Sequence, residues 1–182
     1  MIKHSRREVL TWDDVNKLID HLIPQIEVGI DCMLLITRGG IIPGGLLAHA
    51  MDIYQIFTAA VDFPDIGDSK VKRRGSKEEI DVGLCALPVF IQFPEEELLK
   101  EKRVLIVDDV WGSGRTMNAV RSRVLSSKGD PYTCVLHFNP HRNRFKQRPD
   151  FYAAITDAYI VYPWEIDRGW HQVLRMPFPP AP

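Results

Sequence analysis

VLIVDDVWGSGRTM, residues 104–117, is the stretch from which the fold can be read. Val104 to Val107 is an uninterrupted apolar run, the pattern of a central parallel strand buried on both faces. It delivers two adjacent acids, Asp108 and Asp109, to its carboxyl end. A short turn with Gly112 and Gly114 follows, then a helical stretch with Val120 and Val124 at i and i+4. Glycines let the backbone come close to an anion, and the first amides of a helix point at it with the positive end of the macrodipole. Ser113 and Thr116 add hydroxyl donors. Gly112, Ser113, Gly114, Arg115 and Thr116 therefore read as a binding site for a phosphate monoester. Two neighbouring carboxylates at a strand end are costly without partners, because like charges raise each other's pKa and desolvation adds to the effect. Ribose hydroxyls, a magnesium ion, or both would supply those partners.

Working outward, the spacing of Trp12, Val15, Leu18, Ile19 and Leu22 predicts an amphipathic helix, with Asp14 placed for a capping box on Thr11 and Pro24 ending the run. Strand-length apolar runs lie at Met33 to Thr37, Ile53 to Val61, Val104 to Val107, Tyr132 to Phe138 and Tyr152 to Val161. Helix-like stretches lie between several of them, at Pro43 to Met51, Pro94 to Lys100 and Gly114 to Leu125. Strand and helix in alternation predict a mostly parallel sheet covered by helices on both faces. In such sheets ligands bind beyond the carboxyl ends of the strands. Pro64 to Lys77 is polar and basic, through Lys70, Lys72, Arg73, Arg74 and Lys77, and reads as a mobile loop or exposed hairpin. The C-terminal MPFPPAP is too proline-rich for a helix or central strand.

A chain of 182 residues with 45% hydrophobic content is enough for one domain with a real core. With 23 basic against 24 acidic residues, nothing in the bulk charge calls for nucleic acid or an anionic membrane as partner, so any anion must be held locally. Cys32, Cys85 and Cys134 are widely spaced and lack a C-x-x-C pair, which fits core thiols in a reducing compartment. The N-terminus has no apolar leader-like region and no later run is long enough to span a bilayer, so the cytoplasm is the expected location. The six histidines show no metal-ligand spacing; a dedicated metal site is not expected.

A hydrophobic strand, two acids, two intervening residues and a glycine-rich turn ending in Thr resemble the phosphoribosyl pyrophosphate signature of type I phosphoribosyltransferases. TRGGIIPGGLLA, from Thr37, looks like that family's pyrophosphate loop, with Pro43 opening a helix. TWDDVNKLIDHL near the front and YPWEIDRG near the end are similar to the xanthine-guanine branch of the purine salvage enzymes. The resemblance implies the type I fold: an α/β domain over residues 1–182, with a mostly parallel sheet flanked by helices, a small hood at about 140–175 and a proline-rich tail at 176–182.

The implied reaction displaces pyrophosphate from C1 of the ribose of phosphoribosyl pyrophosphate by a ring nitrogen of a nucleobase, most readily a purine. The products are a nucleoside monophosphate and pyrophosphate. The transition state is oxocarbenium-like, with Mg2+ on the diphosphate, so catalysis is largely positioning and charge stabilisation. By the same resemblance Asp108, Asp109 and Arg38 are catalytic, and Asp109 and Asp108 take the ribose diol and metal. Gly112 to Thr116 anchor the 5-phosphate, and Thr37, Arg38, Gly39 and Gly40 hold the pyrophosphate. A cis peptide without proline, frequent in that loop, is expected at Arg38-Gly39. The basic segment from Ser69 to Lys77 would close over the diphosphate. Asn139, Tyr159, Ile160 and Glu165 would meet the base, with Trp164 packing beneath. A homo-oligomer, dimer or tetramer, is also implied.

Two departures concern the base. Gly112 stands where the 6-oxopurine enzymes carry an acid that assists proton transfer, and Asn139 stands where they carry a lysine for the 6-oxo group. An amide both donates and accepts, so Asn139 suits either an oxo or an amino substituent. These departures leave two alternatives open: a sensor of phosphoribosyl pyrophosphate or nucleotide on the same fold, which could bind RNA through Lys70–Lys77 and the HRNRFKQR run at 141–148, and a transferase for a non-purine base.

Overall fold

In the computed structural model, residues 6–64, 70–72, 79–81 and 87–166 are described, with 70–72 and 79–81 as backbone only. The proline-rich tail, Cys85, Asp167 to Gly169 and most of the Ser69 to Lys77 segment lie outside the described residues.

The centre is a six-stranded sheet made of β2 (Cys32–Ile36), β3 (Ile56–Asp62), β6 (Val89–Gln92), β7 (Arg103–Trp111), β8 (Asp130–Phe138) and β9 (Phe151–Ile155). Its order is β6-β3-β2-β7-β8-β9, with every pair parallel except β3 and β6. Two short sheets stand apart. In one, β1 (Arg7–Val9) runs parallel to β10 (Tyr159–Val161); in the other, β4 (Lys70–Lys72) is antiparallel to β5 (Glu79–Asp81).

Alternation along the strands sorts the core into two layers. Met33 and Leu35 of β2 and Leu105 and Val107 of β7 meet Val15, Ile19 and Leu22 of α1 (Trp12–Leu22) and Leu47 and Ala48 of α2 (Ile41–Ala50). Cys32, Leu34, Ile36, Val104 and Ile106 point the other way, onto Met117, Val120 and Val124 of α3 (Arg115–Ser126). The buried thiols fit this packing: burial pushes both up, Cys32 to about 11.

Thr11 caps α1 as its sequence requires, accepting from Asp14 N at 3.2 Å while its own N–H donates to Asp14 Oδ2 at 2.9 Å. Several expectations are corrected. The second helix begins at Ile41, two residues before Pro43, which an N-terminal turn tolerates because its N–H would have no intrahelical partner. Pro94 to Lys100 shrinks to a single 3-10 turn, Glu96–Leu98, too short to bury an apolar stripe. Tyr152 to Val161 is two strands rather than one, because Thr156 turns the chain, its Oγ1 accepting from Ala158 N at 3.0 Å. β7 runs past Val107 through both acids to Trp111, because β8 keeps pairing with it as far as Trp111↔Phe138.

That last difference positions the site. β2 pairs with β7 only as far as Leu35↔Val107, whereas β8 follows it to the end. From Asp108 onward β7 therefore has a neighbour on one side only. The strand order also reverses between β2 and β7, since β2 leads outward to β3 while β7 leads to β8. In an open parallel sheet such a switch point leaves a crevice between the loops that follow the two strands.

Candidate functional site

Thr37 to Gly40 and Gly112 to Thr116 are the loops that follow β2 and β7. The first turns back at once: Thr37 N donates to Ala59 O at 2.8 Å as the last ladder bond, and Gly40 N donates to Ile36 O at 2.8 Å. A cis peptide without proline is present, but at Thr37-Arg38, one bond earlier than expected. The chain reverses directly at the end of β2, and Gly39 and Gly40 make the close approaches.

Those approaches explain the glycines. A Cβ at Gly39 would lie 2.5 Å from Asp109 Oδ1 and 2.6 Å from Asp108 Oδ1, and one at Gly40 would run into the carbonyl oxygen of Val107. The fold thus lays the first loop directly on the acid pair. Arg38 is exposed beside it.

Asp108 Oδ1 accepts from Asp109 N at 3.0 Å, and Asp109 Oδ1 accepts from Val110 N at 2.7 Å. Enclosure by protein pushes both carboxyl pKa values up. For Asp108 the neighbouring Asp109 charge adds to the effect; Asp109 reaches about 6, with the Glu165 charge adding and the Val110 N–H opposing. A divalent cation would relieve this pair, and its all-oxygen donors suit a hard ion such as Mg2+. Among the described residues no group of three or more His, Cys, Asp or Glu is placed to hold a metal ion.

The second loop holds the turn expected to take an anion. Gly114 has φ +80°, a conformation that favours glycine, and its carbonyl accepts from Asn118 N at 3.0 Å as the first bond of α3. Ser113 Oγ accepts from Arg115 N at 3.4 Å. The turn is braced from outside by residues that no phosphate-loop pattern reveals. Trp111, 2% exposed, donates from Nε1 to Asn143 Oδ1 at 3.1 Å, and Arg144 N donates to Ser113 O at 3.2 Å. At Gly112 a Cβ would meet nothing within 4 Å, so the place of the missing acid is open space.

The residues expected at the base fall into different surroundings. Tyr159 is half-buried, with the Arg7 guanidinium 5.6 Å from its ring centroid; its pKa is raised by burial and then by the charge of Glu165, which Arg7 opposes. Ile160 is buried in the α1 layer of the core. Asn139 is 3% exposed, and its Oδ1 accepts from His141 N at 3.1 Å and Arg142 N at 3.2 Å, closing the turn after β8. Glu165, in α4 (Pro163–Ile166), accepts from Tyr162 N at 3.2 Å.

Tyr162 and His137 lie outside the predicted site residues yet bear on the acid strand. Tyr162 is 1% exposed, stacks on Trp164 with ring centroids 4.4 Å apart, and donates from Oη to the carbonyl of Asp109 at 3.1 Å. His137 Nδ1 lies 2.8 Å from the same hydroxyl, and burial lowers its pKa to about 4. No local pattern carries these contacts, since Tyr162 and Asp109 are 53 residues apart. A cavity of about 430 Å³ along the outer face of α3, walled by Phe63, Phe90 and Phe145, takes in only Arg115 of the predicted site residues.

With this geometry in place, comparison with known proteins adds the following. The family described as "Phosphoribosyl transferase domain" matches residues 6–164. A xanthine-guanine phosphoribosyltransferase from Ruegeria sp. (strain TM1040) is 24% identical, over 91% of this chain and 89% of that protein. The crystal structure of a purine phosphoribosyltransferase from Pyrococcus horikoshii Ot3 superposes with a TM-score of 0.68 at 28% identity, covering 87% of this chain and 94% of the other. That of a hypothetical protein from Neisseria gonorrhoeae with bound ppGpp gives a TM-score of 0.70 at 25% identity, covering 94% and 97%.

Proposed function

Since the chain belongs to the phosphoribosyl transferase domain family and is a phosphoribosyltransferase by fold and family, we propose that it transfers the 5-phosphoribosyl group from phosphoribosyl pyrophosphate to a purine base. The observation that carries this reading is the close approach of Gly39, where an added Cβ would meet both Asp108 and Asp109, so that the Thr37–Gly40 loop lies against the acids at the switch point of the sheet. In this reading the amides and hydroxyls of Gly112 to Thr116 grip the 5-phosphate, and Asp108 and Asp109 hold the ribose diol. Thr37 to Gly40 hold the leaving pyrophosphate, with Arg38 as its cation. Mg2+, held by Asp109 and Asp108, would neutralise charge on the diphosphate. The ribose C1 then lies between the leaving group and a base stacked on Tyr159, and positive charge developing there is stabilised by the ionised acids below. Similarity to the Ruegeria and Pyrococcus proteins favours a purine as acceptor.

One observation favours a second reading. The open space at Gly112 leaves the base without the family's acid, and one similar structure carries ppGpp, so the same crevice could serve to sense a nucleotide. Pyrophosphate release from phosphoribosyl pyrophosphate and Mg2+, measured against guanine, hypoxanthine, xanthine, adenine, orotate and uracil, separates the two. Release that depends on a purine supports the transferase. Binding in calorimetry with no turnover on any base supports the sensor, and no binding of phosphoribosyl pyrophosphate discards both.

A further inference from the structure

We propose that Tyr162 is a positioning residue, whose hydroxyl, held by His137, fixes the peptide that orients the Asp109 carboxylate relative to the hood. The inference rests on the reading of Asp109 as a ribose-diol residue given above.

The argument is geometric. Tyr162 Oη lies 3.1 Å from the carbonyl oxygen of Asp109, which can only accept, so the single hydroxyl proton points there. The second contact, at 2.8 Å, must then be donated by His137 Nδ1–H to the hydroxyl oxygen. The carbonyl of Asp109 and the N–H of Val110 belong to one peptide plane, and that N–H donates to Asp109 Oδ1 at 2.7 Å. One end of the plane is thus held by Tyr162 while the other holds the carboxylate.

Tyr162 itself belongs to the hood. It follows β10 directly, its ring stacks on Trp164 at an interplanar angle of 5°, and its N–H donates to Glu165. His137 stands on β8, the strand that pairs with β7 through the acids. A single hydroxyl therefore links the hood, β8 and the acid strand in a buried position, where the two side chains are 1% and 4% exposed. Packing alone would be served by a phenylalanine; the hydroxyl adds register between the two halves of the site.

Tyr162→Phe keeps the ring and removes the link. The test measures, by calorimetry with Mg2+, the affinities of ribose 5-phosphate and of AMP, GMP, IMP and XMP, with thermal melting alongside. Ribose 5-phosphate touches one half of the site and a nucleotide spans both. The variant is expected to weaken the tightest nucleotide about five- to tenfold more than ribose 5-phosphate. His137→Phe, which leaves the hydroxyl free to keep its bond to Asp109, should show a smaller change of the same sign, and it decides the matter if Tyr162→Phe does not fold. A lower melting temperature with both ligands weakened equally, or no change in either, overturns the inference. Failure of the unaltered protein to bind ribose 5-phosphate overturns the site assignment itself, and the inference with it.

Discussion

Gly39 and Gly112 tolerate a side chain very differently. A methyl group at Gly39 would press on both carboxylates, at 2.5 and 2.6 Å, whereas one at Gly112 enters open space. Gly39→Ala should therefore cut kcat/KM about a hundredfold by displacing the acids, while Gly112→Asp should change stability by less than about 0.5 kcal/mol. If the acid is what a 6-oxopurine needs, Gly112→Asp should also raise turnover on guanine or hypoxanthine by about tenfold or more; a flat response to both substitutions would discard the roles assigned to these loops. Asp109→Asn keeps an acceptor for Val110 N and removes one of two crowded charges. Turnover should fall by about 10²–10³ with the fold retained, and unchanged turnover would remove Asp109 from the diol site.

The same substitution reports on pH. Asp109 titrates at about 6 in the folded chain against 3.8 ordinarily, so the native state holds its proton more tightly, and this contribution to stability is present below 3.8 and lost as pH rises through about 6. Asp108 is shifted in the same direction. His137 acts oppositely: lowered from 6.5 to about 4, it costs stability as pH falls below 6.5. Denaturation midpoints of the parent chain between pH 4 and 7 therefore reflect a difference of opposing terms. Asp109→Asn should gain on the parent as pH rises across that window, and a constant gap would contradict the raised carboxyl.

At the scale of the element, α1 was legible because its signals are local: a period of 3.6 and a Thr11–Asp14 box within four residues. Thr11→Ala should cost about 1 kcal/mol, read from the denaturation midpoint, and no loss would mean that packing of Val15, Ile19 and Leu22 alone holds the helix. β7 was legible as a strand but not in extent, because Asp108 and Asp109 look like an end and are paired only by virtue of β8. Short edge strands such as β1 and β6 escaped notice for a related reason: three or four residues carry too little pattern, and their partners β10 and β3 are distant in sequence.

For the whole molecule, the two faces of the sheet are covered unequally. On the face packed by α1 and α2, Ile56 of β3 pairs beside buried Met33 yet is 44% exposed, and Val89 of β6 is 49% exposed. Ile41 of α2 adds another exposed apolar side chain, 45%. These are separate exposed apolar side chains, of which Ile56 is a candidate contact in the implied homo-oligomer. If the implied homo-oligomer, dimer or tetramer, uses this face, Ile56→Lys should shift it toward monomer in sedimentation; a monomeric parent chain, or an unshifted variant, would discard that role for Ile56. None of the helices among the described residues is long and apolar enough to cross a membrane.

Local chemistry was enough to specify the α/β class, the glycine turn and the acid pair at the end of a buried strand, because a strand, a glycine turn and a helix cap each draw on neighbours within a few residues. Folding alone could decide that Gly39 rests on Asp108 and Asp109, that Asn139 spends its oxygen on its own turn, and that Tyr162 reaches back 53 residues to the Asp109 carbonyl. These contacts depend on where β2 stops and β7 continues, which is a property of strand pairing across the sheet and has no period or motif to announce it.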